Sequence, residues 1–204
     1  MNQPVPRDNT HWFFLPLILL TIFAYYPGLA GDYLFDDTSN LLQNKALDIK
    51  TLDMDSLQSA AYSSGAGILR RPVSMASFAL NRFFFGIDPY SHKVINLIIH
   101  IITGCLLFLF SRLLISCYQQ YSKPLMSTKT ARWIPVIVCG IWLVHPLNLT
   151  SVLYIVQRMT SLAALFTRCG LCLYVVGRRQ MLLGKHGRSI ILVGLFVFGG
   201  LAIF

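Results

Sequence analysis

Residues 90–115 read YSHKVINLIIHIITGCLLFLFSRLLI. The stretch exceeds the ~20 residues that an α-helix needs to cross a hydrocarbon core, and it closes on Arg112. Within it, His92, Asn96 and His100 recur every fourth residue, with Thr103 and Gly104 close to the same stripe. So narrow a polar seam predicts a face turned into a bundle of helices while the remaining surface meets lipid. Two histidines two turns apart, about 12 Å along the axis, do not hold one metal ion unaided. Interhelical hydrogen bonding is the expected use of the seam, and no metal is expected.

Composition extends this reading to the whole chain. Hydrophobic residues make up 55% of the 204, charged residues 12%, and glutamate is absent. The mean hydropathy is +0.60. A soluble domain carries roughly a quarter charged residues. The net charge of +9 does not point to nucleic acid, because the basic residues stand in short clusters between apolar runs, which is how membrane topology is encoded. Five cysteines, Cys105, Cys117, Cys139, Cys169 and Cys172, lie in or beside apolar segments without a disulfide framework. The Cys169–Cys172 pair reads as small packing residues on a hydrophobic helix.

Working outward from 90–115, further spans are expected at 12–30, 133–149 and 150–177, with an incomplete one at 189–204. A cleavable leader competes with the first, since Gly28-Leu29-Ala30 resembles a small-residue cleavage site. Pro135 falls in the first turn of the third, where proline is tolerated. The last run stops at Phe204, short of the ~17–25 residues of a span, which predicts a chain cut within a helix or a piece of a longer polypeptide. The expected fold is an all-α integral-membrane bundle of four to five transmembrane helices with a long outward first loop, 31–89.

The short loops set the orientation. Lys123, Lys129 and Arg132 fall in 116–132, and Arg178, Arg179, Lys185 and Arg188 in 178–188. Both loops, and the N-terminus 1–11 with Arg7, are therefore assigned to the cytoplasm of a multi-pass protein of the inner (plasma) membrane. The outward loop holds seven of the eight acidic residues. Thr38 to Ser63 reads as one or two short interfacial helices, and Pro72 suits the first turn of a helix reaching Phe85.

Chemistry is expected on this outward loop. It opens Gly31-Asp32-Tyr33-Leu34-Phe35-Asp36-Asp37. Adjacent carboxylates at a membrane surface repel each other in a reduced dielectric, which raises the pKa of one and suits it to general-base work. The plainer alternative is that Asp37 caps the following helix. Arg70 and Arg71 are matched to bidentate phosphate binding, with lipid-headgroup anchoring as the alternative. An arginine inside a span costs about 2.5–3.5 kcal/mol on insertion scales and normally faces a partner or a cavity. Arg158 and Arg168 are both in that position, and Arg158 is the stronger candidate for an anionic group.

Four segments in order carry a resemblance. They are 31–37 with Asn44 nearby; Arg71-Pro72-Val73-Ser74 through Ser77-Phe78-Ala79-Leu80-Asn81 to Phe85-Gly86; Tyr90 through Asn96 to His100; and His145-Pro146 through Tyr154-Ile155-Val156-Gln157-Arg158. Together, over about residues 28–175, they resemble the N-terminal membrane half of the transmembrane-and-TPR O-mannosyltransferases and their bacterial relatives. The resemblance implies a glycosyltransferase that takes its sugar from a polyprenyl-phosphate donor and uses no cofactor. It places the catalytic base in the Asp36–Asp37 pair and the donor phosphate at Arg158 with Arg70 and Arg71. His100, Asn96 and His145 take supporting roles. Expected partners are membrane lipid, the lipid-linked sugar, a protein or glycan acceptor, and further membrane or TPR segments. This sequence departs from the family's pattern at Asn148-Leu149-Thr150-Ser151, where the glutamate after His-Pro is missing, and at Met159-Thr160, where an aspartate is missing.

Transfer of a sugar to an acceptor hydroxyl at the outer face is the leading expectation. A non-catalytic membrane module that binds lipid-linked sugar or a partner subunit is the alternative. A small transporter ranks third, because paired broken helices repeated across two halves are not seen.

Overall fold

The computed structural model describes residues 10–65, 70–121 and 126–203; these residues are helical or irregular, without a strand. Eight helices organise them: α1 (Phe14–Leu29), α2 (Met54–Ala61), α3 (Pro72–Phe85), α4 (Pro89–Tyr121), α5 (Thr128–Leu143), α6 (Leu149–Leu153), α7 (Arg158–Leu182) and α8 (Arg188–Ile203, π-helical over Val193–Phe198). Two are long and apolar enough to cross a membrane: Pro89–Tyr121, and Ile155–Leu182, which is α7 with the turn before it. A third span is formed if α5 and the bent stretch Pro146–Leu153, 53° off its axis, count as one. α1 and α8 are apolar but shorter. The chain is thus an all-helical membrane protein with two to three spans by length and composition, fewer than the four to five expected from hydropathy.

Several boundaries move, because hydropathy marks the end of an apolar run and not the end of a helix. The loop expected at 116–132 is largely helical: α4 continues to Tyr121 and α5 starts at Thr128. Tyr118, Gln119 and Gln120 are polar without being helix breakers. In the same way Arg178 and Arg179 belong to the last turns of α7, where cations suit the helix dipole. The helix closes at Gly184, whose φ of 71° lets its N–H return to the Met181 carbonyl. The spans expected at 133–149 and 150–177 are interrupted instead. α5 stops at Leu143, and His145 turns extended (φ −67°, ψ 130°), the conformation that a following proline enforces. Residues 1–9 of the expected N-terminal segment, Lys123 and Phe204 lie outside the described residues.

The segment 31–89 is a folded lobe rather than a set of separate interfacial helices. Leu41, Leu47, Ala60, Met75, Phe78 and Ala79 form its core, completed by Ile155 and Val156 from the turn before α7 and by Met159 from its start. α3 starts at Pro72 and stops at Gly86, φ 73°, the usual asymmetry of helix ends. Asp53 is the N-cap of α2 and accepts the Ser56 N–H at 2.8 Å. The Arg82 guanidinium, buried in the lobe, pairs with Asp48 at 2.9 Å and donates to the Leu41 carbonyl at 3.1 Å.

Small residues draw the helices together, as is common where apolar burial between helices gives little drive. Gly104 of α4 lies under Leu143 of α5, and a Cβ on Gly170 would stand 2.8 Å from the Gly194 carbonyl of α8. Tyr25 and Leu29 of α1 pack with Leu97 and Val152 in a second core. This second core lies at the end of the bundle where α1 finishes and α4 begins.

Candidate functional site

The two adjacent aspartates have opposite environments. Asp37 is fully buried. Its Oδ2 accepts the Leu34 N–H at 3.0 Å and its Oδ1 the Val156 N–H at 2.7 Å. It stands at the head of the π-turn Thr38–Leu42 but makes no side-chain cap bond to it, so the capping alternative is set aside. Burial pushes its carboxyl above the usual range, against the pull of the Leu34 and Val156 N–H groups and the Lys93 charge. The cause is burial, not repulsion from its neighbour.

Asp36 is exposed. Its own N–H is held by the Tyr154 hydroxyl at 3.1 Å, and its carbonyl accepts from Asn40 at 3.0 Å. These bonds fix the backbone, and the carboxylate of this exposed residue lies beside the Tyr154 hydroxyl. Between the two clamps Phe35 takes a left-handed backbone (φ 41°), rare for a bulky residue. Its ring is 85% exposed, with an edge-on contact to Tyr154 at 6.2 Å. The Lys93 ammonium, with its side chain almost wholly buried, reaches the Asp32 carbonyl at 3.3 Å and secures the start of the loop.

Arg158 is the hub beneath. It is fully buried. Nε donates to Asn96 Oδ1 at 2.7 Å, Nη1 to the Ser77 carbonyl at 3.2 Å, and Nη2 to Asn81 Oδ1 at 2.8 Å and the His92 carbonyl at 3.0 Å. The face of the guanidinium lies 4.4 Å from the Phe78 ring centre. These bonds, with a longer one to Ser77 Oγ, occupy all five N–H groups of the fork, which ties α3 and α4 to α7. In this arrangement it has no donor left for a phosphate, contrary to the role expected of it. Asn96 completes the joint by donating to the Val152 and Ile155 carbonyls, both at 3.2 Å.

The other expected site residues are placed apart. His100 bonds through Nε2 to the Leu143 carbonyl at 2.9 Å and stacks on Trp142. His145 is exposed and caps the turn Pro146–Asn148 by accepting the Leu147 N–H at 3.2 Å. Arg70 and Arg71 are exposed at the head of α3, both left-handed, with φ of 50° and 44°. Arg71 lines a cleft of about 270 Å³ with Met159, Thr160, Phe166 and Leu201. Asp36, through Tyr154, and Arg71, through Met159 and Thr160, therefore flank the same end of α7. No three His, Cys, Asp or Glu side chains come together as a metal site among the described residues.

Sequence reasoning missed Lys93 and gave Tyr154, Asn81 and Ser77 no role. Lys93 was detectable as a cation inside an apolar run, three residues from Asn96 and so on its face. Nothing local marked the others, because their partners are 77 to 118 residues away.

Two curated proteins are similar to the chain. A protein O-mannosyl-transferase of Caenorhabditis elegans is 24% identical over 169 residues, covering 80% of this chain and 23% of its own length. The human protein O-mannosyl-transferase TMTC3 is 24% identical over 148 residues, 70% of this chain and 14% of its own. The chain thus spans less than a quarter of the relatives it matches. No family profile and no solved structure matches it.

Proposed function

Taking the likeness to O-mannosyl-transferases as premise, we propose that the chain forms the membrane part of a glycosyltransferase that moves a sugar from a polyprenyl-phosphate donor to an acceptor hydroxyl at the outer face. The observation that carries this reading is the divided carboxylate pair. Asp37, buried, clamps the loop to the start of α7, and Asp36, exposed, offers its carboxylate. Asp36 takes the proton of the acceptor hydroxyl as its oxygen attacks the anomeric carbon with inversion. The bond from that carbon to the phosphate oxygen breaks, and its electron pair leaves with the lipid phosphate. Arg71, with Arg70, receives that charge at the mouth of the apolar cleft beside α7, where a guanidinium in low dielectric acts strongly. Arg158 keeps the scaffold in register rather than touching the donor.

In the same reading α1 and α8 cross the membrane with the longer helices, giving four to five crossings. The lobe 31–89 faces outward, and the basic ends near Lys129 and Arg178 face the cytoplasm of an inner membrane. The test is an assay of membrane-purified protein with a radiolabelled polyprenyl-phosphate sugar and a hydroxyl acceptor. Asp36→Asn lowers transfer by about 10²–10⁴-fold, the usual worth of a general base, while Asp55→Asn, an exposed residue of α2, does not. Equal turnover by Asp36→Asn and the unmutated protein refutes the mechanism. Binding of the donor without any transfer favours the non-catalytic module.

A further inference from the structure

Arg168 sits at the middle of the apolar helix Ile155–Leu182, ten residues and about 15 Å beyond Arg158. Its situation is the opposite of that residue's. Among the described residues it donates one hydrogen bond, from Nη1 to the Ala164 carbonyl at 3.4 Å, and lies 4.7 Å from the Trp142 ring centre. No carboxylate pairs with Arg168 among the described residues; Asp48, for one, pairs with Arg82 in the lobe. Most of its five N–H groups therefore have no acceptor within the described protein.

Those groups border a cavity of about 130 Å³ between α4, α5, α6 and α7. Thr103, Ser151, Thr160 and Ser161 make its wall polar, and His100 and Trp142 close one side. Trp142 is held firmly, stacked on His100 at 4.6 Å, with His100 anchored on the Leu143 carbonyl. The stack sets the plane of the guanidinium over the indole. At ≈30 Å³ per water, the space holds about four waters or one tetrahedral oxyanion.

A cation in the apolar middle of a span, beside a polar cavity and without an internal counterion, needs an anion from outside the chain. We propose that this cavity is an oxyanion site that takes a phosphate monoester, with Arg168 as its charged ligand. The planar fork matches two phosphate oxygens at once; Ser151 and the second amide proton of Asn148 add donors from the wall, while the hydroxyls of Thr103, Thr160 and Ser161 donate to Ile99, Gln157 and Ser151. The phosphate belongs either to a membrane lipid or to a free ion, and the site exists whether or not the chain transfers sugar.

The experiment uses purified protein in an uncharged maltoside detergent, with Trp142 as the only tryptophan (Trp12→Phe, Trp133→Phe). Thermal unfolding and Trp142 emission are followed with dioctanoyl phosphatidic acid, with dioctanoylglycerol, which has the same tails and no phosphate, and with inorganic phosphate. Phosphatidic acid raises the unfolding temperature and alters the emission, and dioctanoylglycerol does neither. Arg168→Gln weakens its affinity about tenfold or more, the worth of one hydrogen bond to a charged group, and the exposed Arg178→Gln leaves it unchanged. Ser161→Leu, which fills the cavity and keeps the guanidinium, abolishes binding and carries the test if Arg168→Gln does not fold. Arg168-dependent binding of inorganic phosphate also supports the site and makes a free ion its occupant. If neither phosphate compound binds, or binding persists undiminished in a folded Arg168→Gln or Ser161→Leu protein, the cavity is only water-filled and the proposal is overturned.

Discussion

Replacing Arg158 by lysine keeps the charge and removes the planar fork, so it separates the two roles an arginine at this place can have. The guanidinium serves five acceptors around its edge: Asn96 Oδ1, the Ser77 carbonyl and hydroxyl, Asn81 Oδ1 and the His92 carbonyl, at 2.7–3.5 Å. An ammonium carries its three donors on a single nitrogen and leaves about two of these acceptors unserved. Hydrogen bonds to charged groups contribute ~1.5–3 kcal/mol each, which makes the loss about 3–6 kcal/mol. That is a large part of the ~5–15 kcal/mol that holds a folded domain. At ~2–4 °C per kcal/mol for a chain of this size, the apparent unfolding midpoint falls by about 6–24 °C. Tryptophan fluorescence of the purified protein on heating at one fixed scan rate measures it, beside binding of a polyprenyl-phosphate sugar. An unchanged midpoint together with lost donor binding would refute the scaffold reading and return Arg158 to the donor phosphate.

Asp37→Asn costs about 1–3 kcal/mol, because the amide accepts one of the Leu34 and Val156 N–H groups and turns a donor toward the other; a midpoint equal to wild type contradicts the clamp. Burial raises the Asp37 pKa, so the folded protein holds this proton more tightly than the unfolded chain. Its contribution to stability is present below the ordinary 3.8 and is lost as pH rises through the folded value. Stability measured against pH just above 3.8 should accordingly slope less in Asp37→Asn, and an identical slope removes Asp37 as the cause. For topology, Gly65→Cys, where a side chain meets open space, should be labelled by an impermeant thiol reagent on intact cells, and Lys129→Cys should not; the reverse pattern inverts the proposed orientation. Ser64, its neighbour, is buried and unsuited to this use.

Elements written in local chemistry were legible in the sequence. Pro72 opens α3 and the helix reaches Phe85, as expected, and the seam of His92, Asn96 and His100 does face inward, with each of the three buried. The His145-Pro146 break was visible as a motif, yet its consequence was not, because Val144, Leu147 and Leu149 on either side carry the apolar run past it. The candidate site divided in the same way. The adjacent carboxylates of Asp36 and Asp37 at the head of the loop were readable; which one is buried was not, since the choice is made by Val156, 119 residues on. Arg158 was singled out for its burial cost, and the same property that drew attention to it is met by protein acceptors on α3 and α4 that no local pattern announces.

The clamp between Asp37 and Val156 also sets a timetable for assembly. At ~5–20 residues per second of synthesis, the 119 residues between them take about 6–24 s to emerge. For that interval the lobe has Leu41, Leu47 and Phe78 but lacks Ile155, Val156 and Met159, which finish its core. Its early-made half waits, apolar side exposed, for a helix not yet inserted. A ribosome stalled before residue 155 should therefore leave the lobe open to protease, and one stalled after α7 has cleared the translocon should leave it closed.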